Sequence, residues 1–261
     1  MVLISDLALV RAAHIVLASA SPRRSSILND QFGLNVRTVP STFDEQLDKA
    51  LFATPMDYAK ETARQKALEV FARCAKPYAS KHKRPPSLVI GADTIVVLNG
   101  KIMEKPHSVE HARQMISDLS DAGTHTVCTA VSLIYGGSAV DGSAAHEHTF
   151  AEETTVAFRP VNEAEVEAYV ATGEPMDKAG GYGIQGLGGA FVSHINGDYL
   201  NVVGFPAAKF LAELDRDRLA EWIEAAPPEE ATDGAAVAAA SGDTIVSDEC
   251  EDMDECGLPS D

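Results

Sequence analysis

The chain has 261 residues, 45% of them apolar by type, and a formal net charge of −18 at pH 7. That length supports a large core and one or two domains. The negative balance excludes a general DNA- or RNA-binding surface, which needs a basic field to neutralise phosphates, but not a small, locally basic nucleotide pocket. No apolar run reaches the ~20 residues of a membrane span, so no membrane partner is expected. Met1–His14 is a poor signal peptide and reads as a short leading helix. Cys74, Cys128, Cys250 and Cys256 show no close pairing in sequence. A disulfide framework or zinc site is therefore not expected, and reduced thiols in a cytosolic protein are the default.

In chain order, Ile15–Ala18 reads as a short buried strand and Pro22–Asp30 as a helix. Ser21 is a natural N-cap, and Pro22 is pre-set for the first helical position. Arg23 and Arg24 fall in the first turn, where the helix dipole favours acids. Either they are solvated surface side chains or an anion sits beside them, since a helix start binds phosphate and Arg adds forked donors. Val36–Val39 is a second short strand, followed by a polar loop carrying Asp44 and Glu45. Thr54-Pro55 starts another helix, with an apolar stripe through Met56, Ala59, Ala63, Ala67, Val70 and Phe71. Lys66 lies at the edge of that stripe, either snorkelling along the core or reaching into a cleft. Residues 76–87 read as an exposed loop.

Ser87–Leu98 is the most apolar run and predicts a central strand buried on both faces. Asp93 interrupts it. One reading is a turn cap after Gly91; the other is a carboxylate held at a sheet edge as a base or metal ligand. Asn99-Gly100 marks a hairpin that returns the chain to Lys105-Pro106. A helix Ser108–Leu119, a strand Thr124–Tyr135, a polar hairpin loop Gly136–His148 and an alternating strand Thr149–Phe158 follow. Asn162 caps the next helix, with Glu165 close to a capping box. Residues 173–189 are too rich in glycine for regular structure. They are a flexible linker or, given Met176, Tyr182 and Ile184, a structured loop facing a ligand. Two strands, Ala190–Ile195 and Tyr199–Val203, and a helix Pro206–Ala225 complete the expected domain, residues 1–226. Residues 227–261 are acidic, poor in apolar side chains, and expected to be a disordered tail.

Arginines at a helix start, an acid inside an apolar strand, and a loop bearing Asp177, Lys178 and Gln185 point at one ligand. With Lys66, Lys105 and the acids at 44 and 45, they supply cations for phosphates, carboxylates for a divalent metal and an amide able to read a base edge. This supports phosphate-ester or nucleotide chemistry with Mg²⁺. It leaves kinase, hydrolase and pure binder open.

The chain resembles the Maf family of nucleoside triphosphate pyrophosphatases. The residues that carry the likeness are Leu17-Ala18-Ser19-Ala20-Ser21-Pro22-Arg23-Arg24, Gly91-Ala92-Asp93-Thr94, Glu104-Lys105-Pro106, and the run from Glu174 to Gly186. The resemblance implies an α/β fold of Maf/ITPase-like architecture: an elongated, strongly twisted mixed sheet flanked by helices, in two lobes with a central cleft. It implies hydrolysis of a nucleoside triphosphate to the monophosphate and pyrophosphate. Asp93 matches the proton acceptor that activates water. Ser19, Arg23, Arg24, Lys66 and Lys105 match positions that hold the triphosphate, and Glu45 with Asp93 matches the carboxylates that place a divalent cation, Mg²⁺ or Mn²⁺. Arg23, Thr94 and Gln185 match the branch acting on dTTP and UTP, including modified pyrimidine nucleotides. The 7-methyl-GTP branch, the alternative, carries a bulkier residue after the catalytic Asp; a non-catalytic nucleotide-binding regulator is the competing class. Gly181 departs from the Ala of many members. A cytoplasmic homodimer is the implied setting.

Overall fold

Strand β3 (Leu88–Leu98) organises the sheet. On one edge, β1 (Ile15–Ala18) pairs with it in parallel over Leu88–Gly91, and β4 (Lys101–Met103) pairs antiparallel over Val96–Leu98. On the other edge, β5 (Thr124–Tyr135) pairs antiparallel from Leu88 to Val97. Residues 92–95 are thus left without a strand neighbour on the first edge. With β2 (Val36–Thr38), β6 (His146–Phe158) and β7 (Val192–Asn196), the sheet is mixed and seven-stranded, in the order β2–β1–β3–β5–β6–β7 with β4 beside β3. The computed structural model describes residues 6–75, 86–136, 145–215, 217, 219 and 220.

One face of the sheet is covered by α3 (Pro55–Ala75). Its start is fixed by Thr54, whose hydroxyl accepts the Asp57 N–H at 3.2 Å while the Asp57 carboxylate accepts the Thr54 N–H at 3.2 Å. Ala59, Ala63 and Ala67 are fully buried against the strands. The approach is close because of Gly91: a Cβ there would collide with the Ala63 carbonyl oxygen and lie 2.8 Å from the Ala67 nitrogen.

The opposite face carries two apolar clusters. The first joins Ala92, Val131 and Phe150 of the sheet to Val10 of α1 (Leu7–Ala12) and Phe210 of α7 (Ala207–Glu213). The second joins Val96, Val127 and Val156 to Ile116 of α4 (Val109–Ala122) and Val166 of α5 (Glu163–Ala171). Between them lie Thr94 on β3, Thr129 on β5 and Thr154 on β6, each a place where an apolar side chain would have fused the clusters. Hydrogen bonds satisfy these hydroxyls, as burial requires. Thr94 Oγ1 lies 3.0 Å from Thr129 Oγ1, Thr129 donates to the Asn201 carbonyl at 3.0 Å, and Asn201 Nδ2 donates to Thr154 Oγ1 at 2.9 Å. This seam separates the two apolar clusters of this face.

Several elements differ from the sequence expectation. Tyr199–Val203 is a short helix, α6, not a strand. Five mostly apolar residues carry no decisive period; the ends decide, because the Asp198 carboxylate accepts the Leu200 N–H at 2.8 Å and Gly204 stops the helix. His146 and His148 belong to β6 rather than to a loop, since β6 pairs with β5 as far as Tyr135↔His146. His148 Nε2 lies 2.8 Å from Glu213 Oε2. A short helical segment occupies Leu187–Phe191, so β7 starts only at Val192. The helix expected over Pro206–Ala225 is interrupted: α7 ends at Glu213, where Leu214 turns extended, and residues 217, 219 and 220 are helical again. After α2 (Pro22–Ser26) the backbone widens into a π turn over Ile27–Gln31. Residues 76–85 of the expected loop, residues 137–144 of the hairpin loop and the acidic tail lie outside the described residues. Among the described residues, no helix is long and apolar enough to cross a membrane.

Candidate active site

A cleft of about 1020 Å³ opens at the unpaired edge of β3, where β1 ends. Crevices beyond the carboxyl ends of parallel strands are the usual ligand sites of open α/β sheets. Ser19, Arg23, Arg24, Glu45, Lys66, Asp93, Thr94, Lys105 and Gln185 all line it.

Asp93 and Thr94 point to opposite faces of β3, as neighbours on a strand do. On the α3 side, the Lys66 ammonium lies 2.8 Å from Asp93 Oδ1 and 2.8 Å from Glu45 Oε2. Asp93 and Lys66 are each only 8% exposed, so neither charge is tolerable without the other. Asp93 is therefore neither a turn cap nor solvated, and Lys66 reaches the cleft. Glu45 is held from its backbone: Tyr58 donates its hydroxyl to the Glu45 carbonyl at 3.1 Å. The same loop is tied to the end of β4 by Lys49 Nζ, 2.6 Å from Glu104 Oε1. That hydrogen bond raises the Lys49 pKa above its ordinary value.

On the other side, Arg24 donates from Nε to the Gly204 carbonyl at 2.9 Å, from Nη1 to Ser19 Oγ at 3.0 Å and from Nη2 to Thr94 Oγ1 at 2.8 Å. Burial lowers the Arg24 pKa, and the Asp93 charge opposes that shift. Arg has five N–H donors and no acceptor, so two donors are left for an anion. The one-way donation also fixes the protons behind it. Thr94 accepts from Arg24, and Thr129 donates to the Asn201 carbonyl, so the hydroxyl proton between the two threonines belongs to Thr94. Thr94 and Ser19 thus mount Arg24. Thr129, fully buried, was invisible to sequence reasoning; its only signal is the register Thr94↔Thr129. Ser21 sits at the N-cap of α2 without capping it, and instead donates its N–H to Ser19 Oγ at 3.2 Å. By contrast, the side chains of Arg23, Lys105 and Gln185 make no hydrogen bond among the described residues.

The glycine-rich segment is ordered in three short turns, Glu174–Asp177, Ala179–Gly181 and Leu187–Phe191. Its Gly180 N–H donates to the Glu104 carbonyl at 3.1 Å. Gly181 has φ +72°, a left-handed conformation that glycine adopts more readily than alanine. Lys178 Nζ is 2.6 Å from Asp177 Oδ1. Burial raises the Asp177 pKa, but Lys178 and the charge of Arg23 outweigh it and leave it lowered. Tyr182 anchors the segment to β5 through a 2.7 Å hydrogen bond with His125 Nε2. Burial pushes His125 down to about 4, so it is neutral there.

The oxygen donors of Glu45 and Asp93 converge on one cationic point, the position of Lys66 Nζ. Among the described residues, no group of three or more His, Cys, Asp or Glu side chains could hold a metal ion. Two carboxylates fit a hard divalent cation that completes its shell with substrate phosphates and water.

Comparison with known proteins gives a consistent set of relatives. Residues 14–217 match the family described as Maf-like protein. A human "probable bifunctional dTTP/UTP pyrophosphatase/methyltransferase protein" is 50% identical over 201 residues, covering 77% of this chain and 31% of the relative; the chain thus spans under a third of that protein. A "dTTP/UTP pyrophosphatase" of Thermococcus kodakarensis is 45% identical over 192 residues, covering 74% of this chain and 90% of the relative. One of Schizosaccharomyces pombe is 42% identical over 195 residues, covering 74% and 79%.

Proposed function

The chain belongs to the Maf family, and on that premise we propose that it hydrolyses dTTP and UTP, and modified pyrimidine nucleotides, to the monophosphate and pyrophosphate. The carrying observation is the buried Asp93 carboxylate, held 2.8 Å from Lys66 in a cleft that also presents Arg23, Arg24 and Lys105. Asp93 takes a proton from a water molecule as its oxygen bonds to the α-phosphorus. The α–β anhydride bond breaks, and pyrophosphate leaves with the bonding electrons. Ser19 and Thr94 keep Arg24 aimed before substrate arrives, so its remaining donors meet developing charge without reorganising. Arg23 and Lys105, whose side chains make no hydrogen bond among the described residues, meet the other phosphates. Gln185, whose side chain makes none either, reads the base. Mg²⁺ or Mn²⁺ held by Glu45, Asp93 and the phosphates would neutralise charge that otherwise repels the nucleophile. Divalent-cation use, a cytoplasmic location and a homodimer are part of this proposal and follow from the family resemblance.

Pyrophosphate release from dTTP, UTP, GTP and 7-methyl-GTP, with and without Mg²⁺, tests the reading. Release from the pyrimidine nucleotides, abolished by chelation, is expected. Binding without release would instead identify a regulator, and preference for 7-methyl-GTP the other branch.

A further inference from the structure

Gln185 is exposed, its side chain makes no hydrogen bond among the described residues, and it lies in the run Gly183-Ile184-Gln185-Gly186. A reading side chain on such backbone needs something to hold it, because glycine has more conformational freedom to lose than any other residue. The holder is Glu174. Its Oε2 accepts the Leu187 N–H at 2.9 Å. Its Oε1 accepts the Gly188 N–H at 3.2 Å and the Tyr169 hydroxyl at 3.2 Å. One carboxylate thus clasps the backbone just beyond Gln185 to the turn that opens the segment. The clasp explains Gly186: a Cβ there would collide with the Glu174 carboxylate. Burial, then the charge of Glu174, raises the Tyr169 pKa, so the phenol stays a donor. Glu174 also lines the cleft, but both its oxygens are engaged by these donors.

We propose that Glu174 is a positioning residue for base recognition: its carboxylate holds residues 183–188 in the conformation that presents the Gln185 amide, and so sets nucleotide selectivity without touching the nucleotide. This rests on the base-reading role given to Gln185 above.

The test measures binding of non-hydrolysable α,β-methylene analogues of dTTP, UTP and GTP by calorimetry. Wild type, Glu174→Ala, Glu174→Gln, Gln185→Ala and the Glu174→Ala/Gln185→Ala double variant are compared, with amide hydrogen exchange at Leu187 and Gly188. In Glu174→Ala, protection at both amides should fall. Preference for dTTP over GTP should fall about tenfold, the equivalent of one lost hydrogen bond, to the level of Gln185→Ala, with no further loss in the double variant. Glu174→Gln keeps one acceptor oxygen and should lie between; it decides the matter if Glu174→Ala does not fold. Lost protection with unchanged preference overturns the proposal, as does unchanged protection. Unchanged preference in Gln185→Ala removes the base-reading role and this proposal with it. Selective binding by a wild type that releases no pyrophosphate overturns only the catalytic reading.

Discussion

Asp93 and Thr94 are neighbours in sequence that hold opposite sides of one sheet: Asp93 meets Lys66 of α3 at 2.8 Å, and Thr94 meets Arg24 of α2 at 2.8 Å. Both reach a single cleft because residues 92–95 lack a strand neighbour on that edge. The proposed base and the proposed phosphate grip are thereby mounted one residue apart, on supports that share only the strand.

That arrangement predicts separable losses. Asp93→Asn removes the proton acceptor while leaving Arg23, Arg24 and Lys105 in place. Turnover should fall by about 10²–10⁴-fold, the usual contribution of a general base, with nucleotide affinity changed far less. Pyrophosphate release and calorimetric binding check the two halves. Full activity in this variant would remove Asp93 from the chemistry.

Thr129→Val tests the mount of Arg24 from behind. It deprives the Asn201 carbonyl of its donor and leaves Thr94 only the more distant Gly204 carbonyl, at 3.4 Å, as acceptor, so stability should drop by about 1–3 kcal/mol. KM for the triphosphate should rise several-fold more than kcat falls, because Arg24 contributes grip. Thr129→Ser restores the hydroxyl and should rescue both. Urea melts and steady-state kinetics provide the readouts; an unaltered KM would leave Thr129 a purely structural residue.

His125 predicts an acid limb of stability. Burial lowers its pKa from 6.5 to about 4 in the fold. The unfolded chain therefore takes up the proton first. The contribution of the neutral ring is complete above pH 6.5, declines as pH falls toward 4, and is exhausted below that. The depressed pKa corresponds to about 3 kcal/mol. The stability difference between wild type and His125→Gln, followed by urea unfolding across this range, should change by that order. A pH-independent difference would mean that His125 has the same pKa in the folded and the unfolded chain.

Gly91→Ala should be poorly tolerated although alanine is small. The added methyl meets the Ala63 carbonyl oxygen, which is backbone and cannot rotate away. Overpacking of this kind costs about 1–3 kcal/mol. The shift in urea midpoint measures it, and a neutral result would mean that α3 slides on the sheet.

Where sequence reasoning succeeded, local chemistry determined the outcome. The strand at 15–18, the Asn99-Gly100 turn and the Asn162 capping box all follow from near-neighbour preferences. Arg23, Arg24 and Asp93 were conspicuous as charged groups where the pattern disfavours them, and Gln185 as an amide in the glycine-rich loop. Thr129 was not, because threonine is an ordinary strand residue and its partners come from strand register and a distant helix. Asn201 was hidden in an apolar pentad whose helical state depends on Asp198 and Gly204. Glu174 stood in a recognisable motif, yet its role depends on backbone amides that sequence does not locate.

The threonine seam has a consequence for how the sheet finds its alignment. A slip of one residue between β3 and β5 turns every side chain to the wrong face, and the apolar pattern rejects it. A slip of two keeps each face correct, and Ala92, Val96, Val127 and Val131 would accept it with little complaint. Thr94 and Thr129 would not, since each would then face an aliphatic neighbour with its hydroxyl stranded, at a cost of about 1–3 kcal/mol per group. The hydroxyls that mount Arg24 thus also act as an alignment key, so that the strands can close in only one frame, the frame in which the arginine is aimed.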